Sequence, residues 1–227
     1  MKTDALIQSD VISELKWEPS IDAAKIGVSV RDGIVTLDGN VDSFVEKLAA
    51  ERVASHVSGV KAVAQEIKVR LPQSFERNDA DIAEAALTAL EWNMLVPDNR
   101  VKVEVQDGMV ILTGEVDWEY QRAAAHNAVC CLIGVKGVTN EISLKPSVKP
   151  VDVKVKLKRA FQRHSALDAK HIMVETVGSK VILNGSVHSW IEKQEAASAA
   201  WAAPGVSDVE NNLVVMGASE IYGVPAD

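Results

Sequence analysis

The stretch IGVSVRDGIVTLDGNV, residues 26–41, decides the fold of this chain. Its first half alternates apolar Ile26, Val28 and Val30 with small or polar residues, which is the period of a strand that buries one face. Strand-favouring residues resume at residues 34–37, after an Asp-Gly pair at 32 and 33. Such a pair between two runs predicts a β-hairpin, because both central positions of its turn need positive φ.

The same stretch returns twice, as VKVEVQDGMVILTGEV at residues 101–116 and as IMVETVGSKVILNGSV at residues 172–187. Of the 44 positions from 26 to 69, 17 are identical 75 residues later, and the third copy follows the second at an offset of 71. This self-similarity predicts three tandem repeats. Structural roles at turns, strand ends and helix ends are predicted for the recurring glycines: Gly33, Gly39, Gly59, Gly108, Gly114, Gly134, Gly185 and Gly205.

Each repeat is predicted to run helix, strand, strand, helix, strand. Pro19 ends the first helix, predicted over residues 4–17, and Ser43-x-x-Glu46 and Ser189-x-x-Glu192 predict capping boxes at two of the second helices. One helix between two strands is a crossover, so the last strand should run parallel to the second. The predicted fold class is α+β, with three tandem αββαβ repeats, each a three-stranded mixed sheet with two helices on one face.

The predicted boundaries divide the chain into three repeats and a loose tail: residues 1–73, 74–147, 148–217 and 218–227. The start of the third repeat is ambiguous, because VDVKVKLK at residues 151–158 alternates like a strand. The spacing of Val153, Leu157 and Phe161, together with the match to the other repeats, favours a helix there.

The pattern shared by the repeats is a helix, then V-x-V-x-D-G-x-V-x-L-x-G-x-V, then an Ala-rich helix, then G-V-x-x-V-x-N-x-I. By this pattern, each repeat resembles the BON domain of bacterial osmotically inducible and nodulation-related proteins. The third copy departs from the pattern with Gly178 and Ser179 in place of Asp-Gly, so its turn is expected to differ in type. The resemblance implies binding rather than catalysis, with attachment to phospholipid surfaces and a role in osmotic or envelope stress. One cytoplasmic relative joins a BON domain to a different module and senses potassium, but no second module is expected in this chain.

Composition and terminal sequence suggest a cytoplasmic protein with a sizeable core, since 47% of the 227 residues are hydrophobic and 25% are charged. The start, MKTDALIQSDVISEL, has acidic residues where a signal peptide needs a basic start and an apolar run, and no window approaches the ~18 apolar residues of a membrane helix. Cys130 and Cys131 are adjacent, a poor arrangement for a structural disulfide. A reducing cytoplasm is therefore expected, with secretion by another route left open.

The sequence offers little chemistry for catalysis. It has no P-loop, HExxH, nucleophile-elbow or CxxC motif, so neither an enzyme activity nor a cofactor is predicted. His126 and Cys130 are four residues apart on a predicted helix, but two ligands do not make a metal site. The two cysteines are interpreted as small packing residues.

Charge is spread unevenly along the chain. Residues 1–76 carry 9 basic and 12 acidic groups, residues 77–146 carry 6 and 11, and residues 147–227 carry 9 of each, so the net charge of −8 lies in the first two repeats. A cationic cluster opens the third repeat: Lys154, Lys156, Lys158, Arg159 and Arg163. It is either a solvated helix face or a contact to an anionic membrane surface. Nucleic acid is not an expected partner, because the acidic remainder would repel phosphate and no stacking aromatics accompany the cluster.

The last predicted helix, residues 189–203, carries an uncharged stripe. By correspondence with the first repeat, its inner face is predicted to hold Ala196, Ala199 and Ala203. A different face, at 100° per residue, is lined by Trp190, Gln194, Ala197 and Trp201. Exposed apolar patches usually mark contacts, so we expect this stripe to dock onto another repeat or a second chain. The alternative is a different helical phase, with both tryptophans in the core.

Two classes of function remain open. The first is a binding module for anionic surfaces or ions, potassium included, that acts in a stress response. The second is a structural scaffold whose partner is a protein, which includes a second copy of this chain. The first class predicts salt-sensitive vesicle binding, and the second predicts a stable oligomer that is indifferent to lipid.

Overall fold

The computed structural model of this protein describes residues 2–145, 157, 171–203 and 205–216. The first repeat contains α1 (Asp4–Trp17), β1 (Ile26–Arg31), β2 (Ile34–Val41), α2 (Phe44–His56) and β3 (Ala62–Val69). The second contains α3 (Asp79–Glu91), β4 (Val101–Gln106), β5 (Met109–Val116), α4 (Glu119–Cys130) and β6 (Gly137–Leu144). The third contains β7 (Ile172–Val177), β8 (Lys180–Val187), α5 (Trp190–Trp201) and β9 (Asp208–Val215).

Each repeat forms one three-stranded sheet with its second strand in the middle. The two hairpin strands are antiparallel, with Val28 opposite Leu37, and the last strand is parallel to the second, with Leu37 opposite Gln65. The second and third repeats have the same strand order and the same directions. The predicted α+β class with three mixed sheets is confirmed.

In the first two repeats, both helices pack on the sheet and on each other. Helix α1 contacts β1 and α2, while α2 contacts β3, and α3 and α4 repeat these contacts. The buried rows of α1 and α3 have the predicted i, i+4 spacing: Ile7, Val11, Leu15 and Ile82, Ala86, Leu90. The predicted first helix of the third repeat lies outside the described residues except for Leu157, which is helical and buried in the third core.

Local capping sets the start of the second helices. At α2 the hydroxyl of Ser43 accepts a hydrogen bond from the N–H of Glu46 at 3.1 Å, and the carboxylate of Glu46 accepts one from the N–H of Asp42 at 3.1 Å. At α5, Ser189 caps the N–H of Glu192 in the same way. The capping serines are therefore confirmed, although the acidic side chain reaches one residue further back than in the expected capping box.

The hairpin turns of the first two repeats are held by the start of the first helix. Asp32 has a φ of 54° and Gly33 a φ of 79°, as a type I′ turn requires. Both of their N–H groups donate to the carboxylate of Asp4, at 2.8 and 3.0 Å, and Asp79 holds the second turn in the same manner. In the third repeat Gly178, the first of the two turn residues, has a φ of 62°, which fits a type II′ turn and the expected difference.

A glycine near the end of each central strand allows close backbone approach. Gly39 has a φ of 127°, and a side chain there would collide with the carbonyl oxygen of Lys25. Gly114 and Gly185 face a backbone carbonyl in the same way, so substitution is disfavoured both by φ and by space. Positive φ is also found at the other predicted structural glycines: Gly33, Gly59, Gly108, Gly134 and Gly205.

The repeats contact one another through their second helices. Phe44 and Leu48 of α2, together with Val69 of β3, pack against the core of the second repeat. Trp201 of α5 packs against the same core, and the guanidinium of Arg122 on α4 lies 4.6 Å from the centroid of its ring. Helix α2 also contacts α5. All three second helices therefore take part in the contacts between repeats.

The inner face of α5 agrees with the prediction only in part. Its buried residues form a straight i, i+4 row: Glu192, Ala196 and Ala200. Of the residues predicted for this face, Ala196 is buried, while Ala199 and Ala203 are half-buried and pack against the third core. The row begins at Glu192, whose N–H is capped by Ser189. The corresponding row is buried in α2: Glu46, Ala50 and Ala54.

Candidate functional site

The loop after α3 exposes large apolar side chains. Trp92 is 84% exposed, Met94 98% and Leu95 55%. The loop is nevertheless ordered by its neighbours, because the side chain of Asn93 accepts a hydrogen bond from the N–H of Leu95 at 3.0 Å and Val96 is buried in the core. We call residues 92–95 the apolar tip. It holds three large apolar side chains in water.

A shallow groove of about 550 Å³ lies beside the apolar tip, along the outer face of α3. Its lining residues are Asp81, Glu84, Ala85, Thr88, Ala89, Trp92 and Leu132. We call it the α3 groove. The alanines, Trp92 and Leu132 make most of the lining apolar, while Asp81 and Glu84 place two carboxylates towards the start of the helix.

The first repeat has a polar groove at the corresponding place. That groove measures about 310 Å³ and is lined by Lys2, Asp10, Ser13, Glu14, His56, Val57 and Ser58. Asp10 and Glu14 stand 75 residues before Ala85 and Ala89. Lys2 forms an ion pair with Asp10, with 2.8 Å between Nζ and Oδ2. The two grooves therefore share a position in the repeat and differ in chemistry.

The structure places the four residues of the predicted contact stripe in different surroundings. Trp201 is half-buried and packs against the cores of both the second and the third repeat. Trp190 is half-buried against the third core, with Nζ of Lys193 5.6 Å from its ring centroid. Gln194 is exposed and Ala197 is half-buried. Docking of the whole stripe onto a second chain stays a prediction.

Arg122 contacts both Glu119 and Trp201 where the second and third repeats meet. Its Nε lies 2.7 Å from Oε2 of Glu119, and its guanidinium stacks on Trp201. Both charged side chains are only 25% exposed. Burial raises the pKa of the Glu119 carboxyl, and the positive charge of Arg122 opposes that shift.

The cysteines have different environments although they are adjacent. Cys130 is buried in the second core, whereas Cys131 is exposed, and both are free thiols with their sulfurs 3.5 Å apart. Burial and the neighbouring Cys131 raise the pKa of the Cys130 thiol to about 11. The interpretation as a packing residue is confirmed for Cys130 and is wrong for Cys131, which is exposed.

Other predicted features fall outside these surfaces. The cationic cluster lies outside the described residues: Lys154, Lys156, Lys158, Arg159 and Arg163. Within the described part of the chain, no three His, Cys, Asp or Glu side chains come together as metal ligands would. Over the same residues, no helix is both long enough and apolar enough to cross a bilayer.

Sequence reasoning missed the apolar tip, although a signal was present. The run WNMLVP at residues 92–97 looks like an ordinary apolar segment, and nothing in its composition separates buried Val96 from exposed Met94. The repeat offset supplies the missing clue. Trp17 occupies the position of Trp92 in the first repeat, just before Pro19, and it is 85% exposed.

Comparison with known proteins finds the same family domain three times in this chain. The BON domain family matches residues 3–70, 78–146 and 151–217. Osmotically-inducible protein Y of Escherichia coli (strain K12) is 31% identical over 147 residues, which cover 63% of this chain and 73% of that protein.

Two solved structures show weaker similarity. CdsD, a structural protein of the type III secretion system of Chlamydia trachomatis, aligns over 96% of this chain and 98% of its own, at 15% identity and a TM-score of 0.27. The PrgH periplasmic domain aligns over 85% and 95%, at 7% identity and a TM-score of 0.22. The three family matches coincide with the three repeats, and the chain therefore belongs to the BON domain family as three tandem copies.

Proposed function

We propose that this chain is a non-enzymatic binding protein of a bacterial osmotic-stress response, and that it attaches to phospholipid surfaces. Its family and its similarity to an osmotically inducible protein support the stress-response role. The observation that carries the membrane role is the apolar tip, where Met94 is 98% exposed and Trp92 84%. The two free cysteines support a reducing compartment, for which we propose the cytoplasm.

An apolar tip in water is unfavourable unless a ligand covers it. Full burial of a Met or Leu side chain contributes about 1.5–3 kcal/mol, so Met94 and Leu95 together could supply useful binding energy. Tryptophan suits the membrane–water interface, because its ring is apolar and its N–H can stay hydrated. Trp17 is 85% exposed at the corresponding position, so the first two repeats each offer one such ring.

The cationic cluster of the third repeat would add a preference for anionic lipids. Each Lys or Arg near an anionic bilayer contributes about 1 kcal/mol, and exposed charges are screened within about 8 Å at physiological ionic strength. Insertion of the apolar tip depends little on salt. The two contributions can therefore be separated by lipid charge and by salt concentration.

Vesicle co-sedimentation tests the contribution of the apolar tip. Vesicles of phosphatidylglycerol with phosphatidylcholine are compared with phosphatidylcholine alone, at low and high salt. Met94→Ser with Leu95→Ser should weaken binding to both vesicle types by at least about tenfold, because two inserting side chains are lost. The matched control is Leu6→Ser with Phe75→Ser, which alters two other apolar side chains, 48% and 44% exposed. It should stay within about twofold of the wild type.

The cationic cluster is tested with Lys154→Glu, Lys158→Glu and Arg159→Glu combined. This variant should lose the preference for phosphatidylglycerol and keep the binding to phosphatidylcholine. Wild-type protein that sediments with neither vesicle, or a tip variant that behaves like its control, would refute the membrane role. A melting temperature that rises in KCl but not in NaCl would favour the potassium alternative instead.

A further inference from the structure

The α3 groove is apolar at positions where the fold accepts polar residues. The first repeat has Asp10 and Glu14 where the second has Ala85 and Ala89. Both repeats have the same helix pair on the same kind of sheet. Packing of the core therefore does not require alanine at these positions. The apolar lining belongs to the outer surface of the second repeat, and it needs a separate explanation.

The dimensions of the α3 groove suit a helical ligand. The helix rises about 16 Å from Asp81 to Trp92, at 1.5 Å per residue, which is about three turns. Ala85 and Ala89 are one turn apart, and their small side chains allow a partner helix to approach to the usual 8–10 Å between axes. An extended peptide needs a free strand edge for its backbone, whereas a helix satisfies its own backbone and needs only side-chain contacts.

The charges at the groove select a cationic ligand. Asp81 and Glu84 are exposed, and none of the seven described residues that line the groove is basic. Trp92 adds an exposed ring that can bind a Lys or Arg side chain through a cation–π contact. The same carboxylates would repel an anionic bilayer. The groove therefore favours a protein helix rather than lipid.

We propose that the α3 groove binds a cationic amphipathic helix of a partner protein. The apolar face of that helix would lie against Ala85 and Ala89, with its basic residues beside Asp81 and Glu84. This inference goes beyond the proposed membrane attachment. The apolar tip and the α3 groove share Trp92, whereas Met94 and Leu95 belong to the tip alone.

Fluorescence anisotropy of a labelled peptide with the full chain tests the proposal. The probe is LKKLLKLLKKLLKL, a cationic amphipathic helix, and its analogue LEELLELLEELLEL is the charge control. The lysine peptide should bind at least about tenfold more tightly than the glutamate peptide, because the groove carries two carboxylates. Ala85→Gln with Ala89→Gln puts two polar helix formers in the groove at constant charge. It should weaken binding of the lysine peptide by at least about tenfold.

The charge of the groove is tested separately, with a matched control in the first repeat. In the groove, Asp81→Asn with Glu84→Gln should weaken binding of the lysine peptide about fivefold, as expected for two exposed ion pairs. Asp10→Asn with Glu14→Gln removes the same charge from the polar groove and should change binding by less than about twofold. Equal losses in these two variants would show non-specific attraction and overturn the proposal. Undiminished binding by a folded Ala85→Gln, Ala89→Gln variant would overturn it too.

The peptide and membrane proposals can fail independently. Met94→Ser with Leu95→Ser should leave peptide binding within about twofold of the wild type, because neither side chain lines the groove. Loss of peptide binding in this variant would place the peptide on the apolar tip and overturn the assignment to the groove.

Discussion

The second repeat meets its two neighbours through junctions of different chemistry. The first repeat contributes three apolar side chains to the second core: Phe44, Leu48 and Val69. The third repeat contributes Trp201, whose ring lies against the guanidinium of Arg122, which is itself ion-paired with Glu119. The first junction therefore extends a hydrophobic core across the repeat boundary, while the second combines an aromatic ring with two partly buried charges.

Corresponding positions have different roles in the three repeats. Phe44, Glu119 and Trp190 occupy one position, at the start of the second helix. The first enters the neighbouring core, the second pairs with Arg122, and the third packs on its own repeat. Positions inside each repeat agree because one fold must be packed three times. This position instead varies with the neighbour, and the chemistry of each junction determines how strongly the unfolding of adjacent repeats is coupled.

Of the substitutions at the two junctions, Phe44→Ala should lower the free energy of unfolding the most. Removal of a buried Phe side chain leaves a cavity, so the free energy of unfolding should fall by about 3 kcal/mol. We also expect the unfolding of the first repeat to separate from that of the second in scanning calorimetry. The matched control is Phe75→Ala, because Phe75 is 44% exposed and should cost less than about 1 kcal/mol. Equal costs for the two variants would contradict an apolar junction at Phe44.

The Arg122–Trp201 contact should give a smaller effect, measured by a double-mutant cycle in urea denaturation. Arg122→Ala and Trp201→Ala should show a coupling energy of about 1 kcal/mol, the expected size for a partly buried cation–π contact. The control cycle pairs Arg122→Ala with Trp190→Ala and should show no coupling, because Trp190 packs against the third core beside Lys193. High salt should reduce the cost of Arg122→Ala and leave that of Phe44→Ala unchanged. Equal coupling in both cycles would contradict the junction.

The fold of each repeat was predictable because its signals are local. The Asp-Gly pair at 32 and 33 requires positive φ, Ser43 caps the helix that follows, and the apolar row of Ile7, Val11 and Leu15 has the period of a helix. Each of these features depends on residues close in sequence, and each recurs at a constant offset. The repeated pattern therefore identified both the architecture and the family.

The surfaces were less predictable for two physical reasons. Helix α5 is rich in alanine, so side-chain size cannot distinguish half-buried Ala199 from buried Ala200, and the buried row was predicted only in part. The α3 groove and the junctions depend on how helices and repeats are arranged in space. No local pattern shows that Phe44 enters a neighbouring repeat or that Met94 remains in water.

Glu119→Gln should change the stability least of the three substitutions. The pH dependence of its effect distinguishes the charged junction from the apolar one. Burial raises the pKa of its carboxyl above the ordinary 4.5, and Arg122, 2.7 Å away, opposes the shift. Because the folded state prefers the neutral acid, the stabilisation is fully present below pH 4.5 and is lost as the pH rises through the folded-state pKa. The melting temperature of Glu119→Gln should therefore rise relative to the wild type as the pH is raised above 4.5. The difference in melting temperature between Phe44→Ala and the wild type should stay constant over the same change in pH. A relative melting temperature that falls with pH would mean that the ion pair outweighs burial.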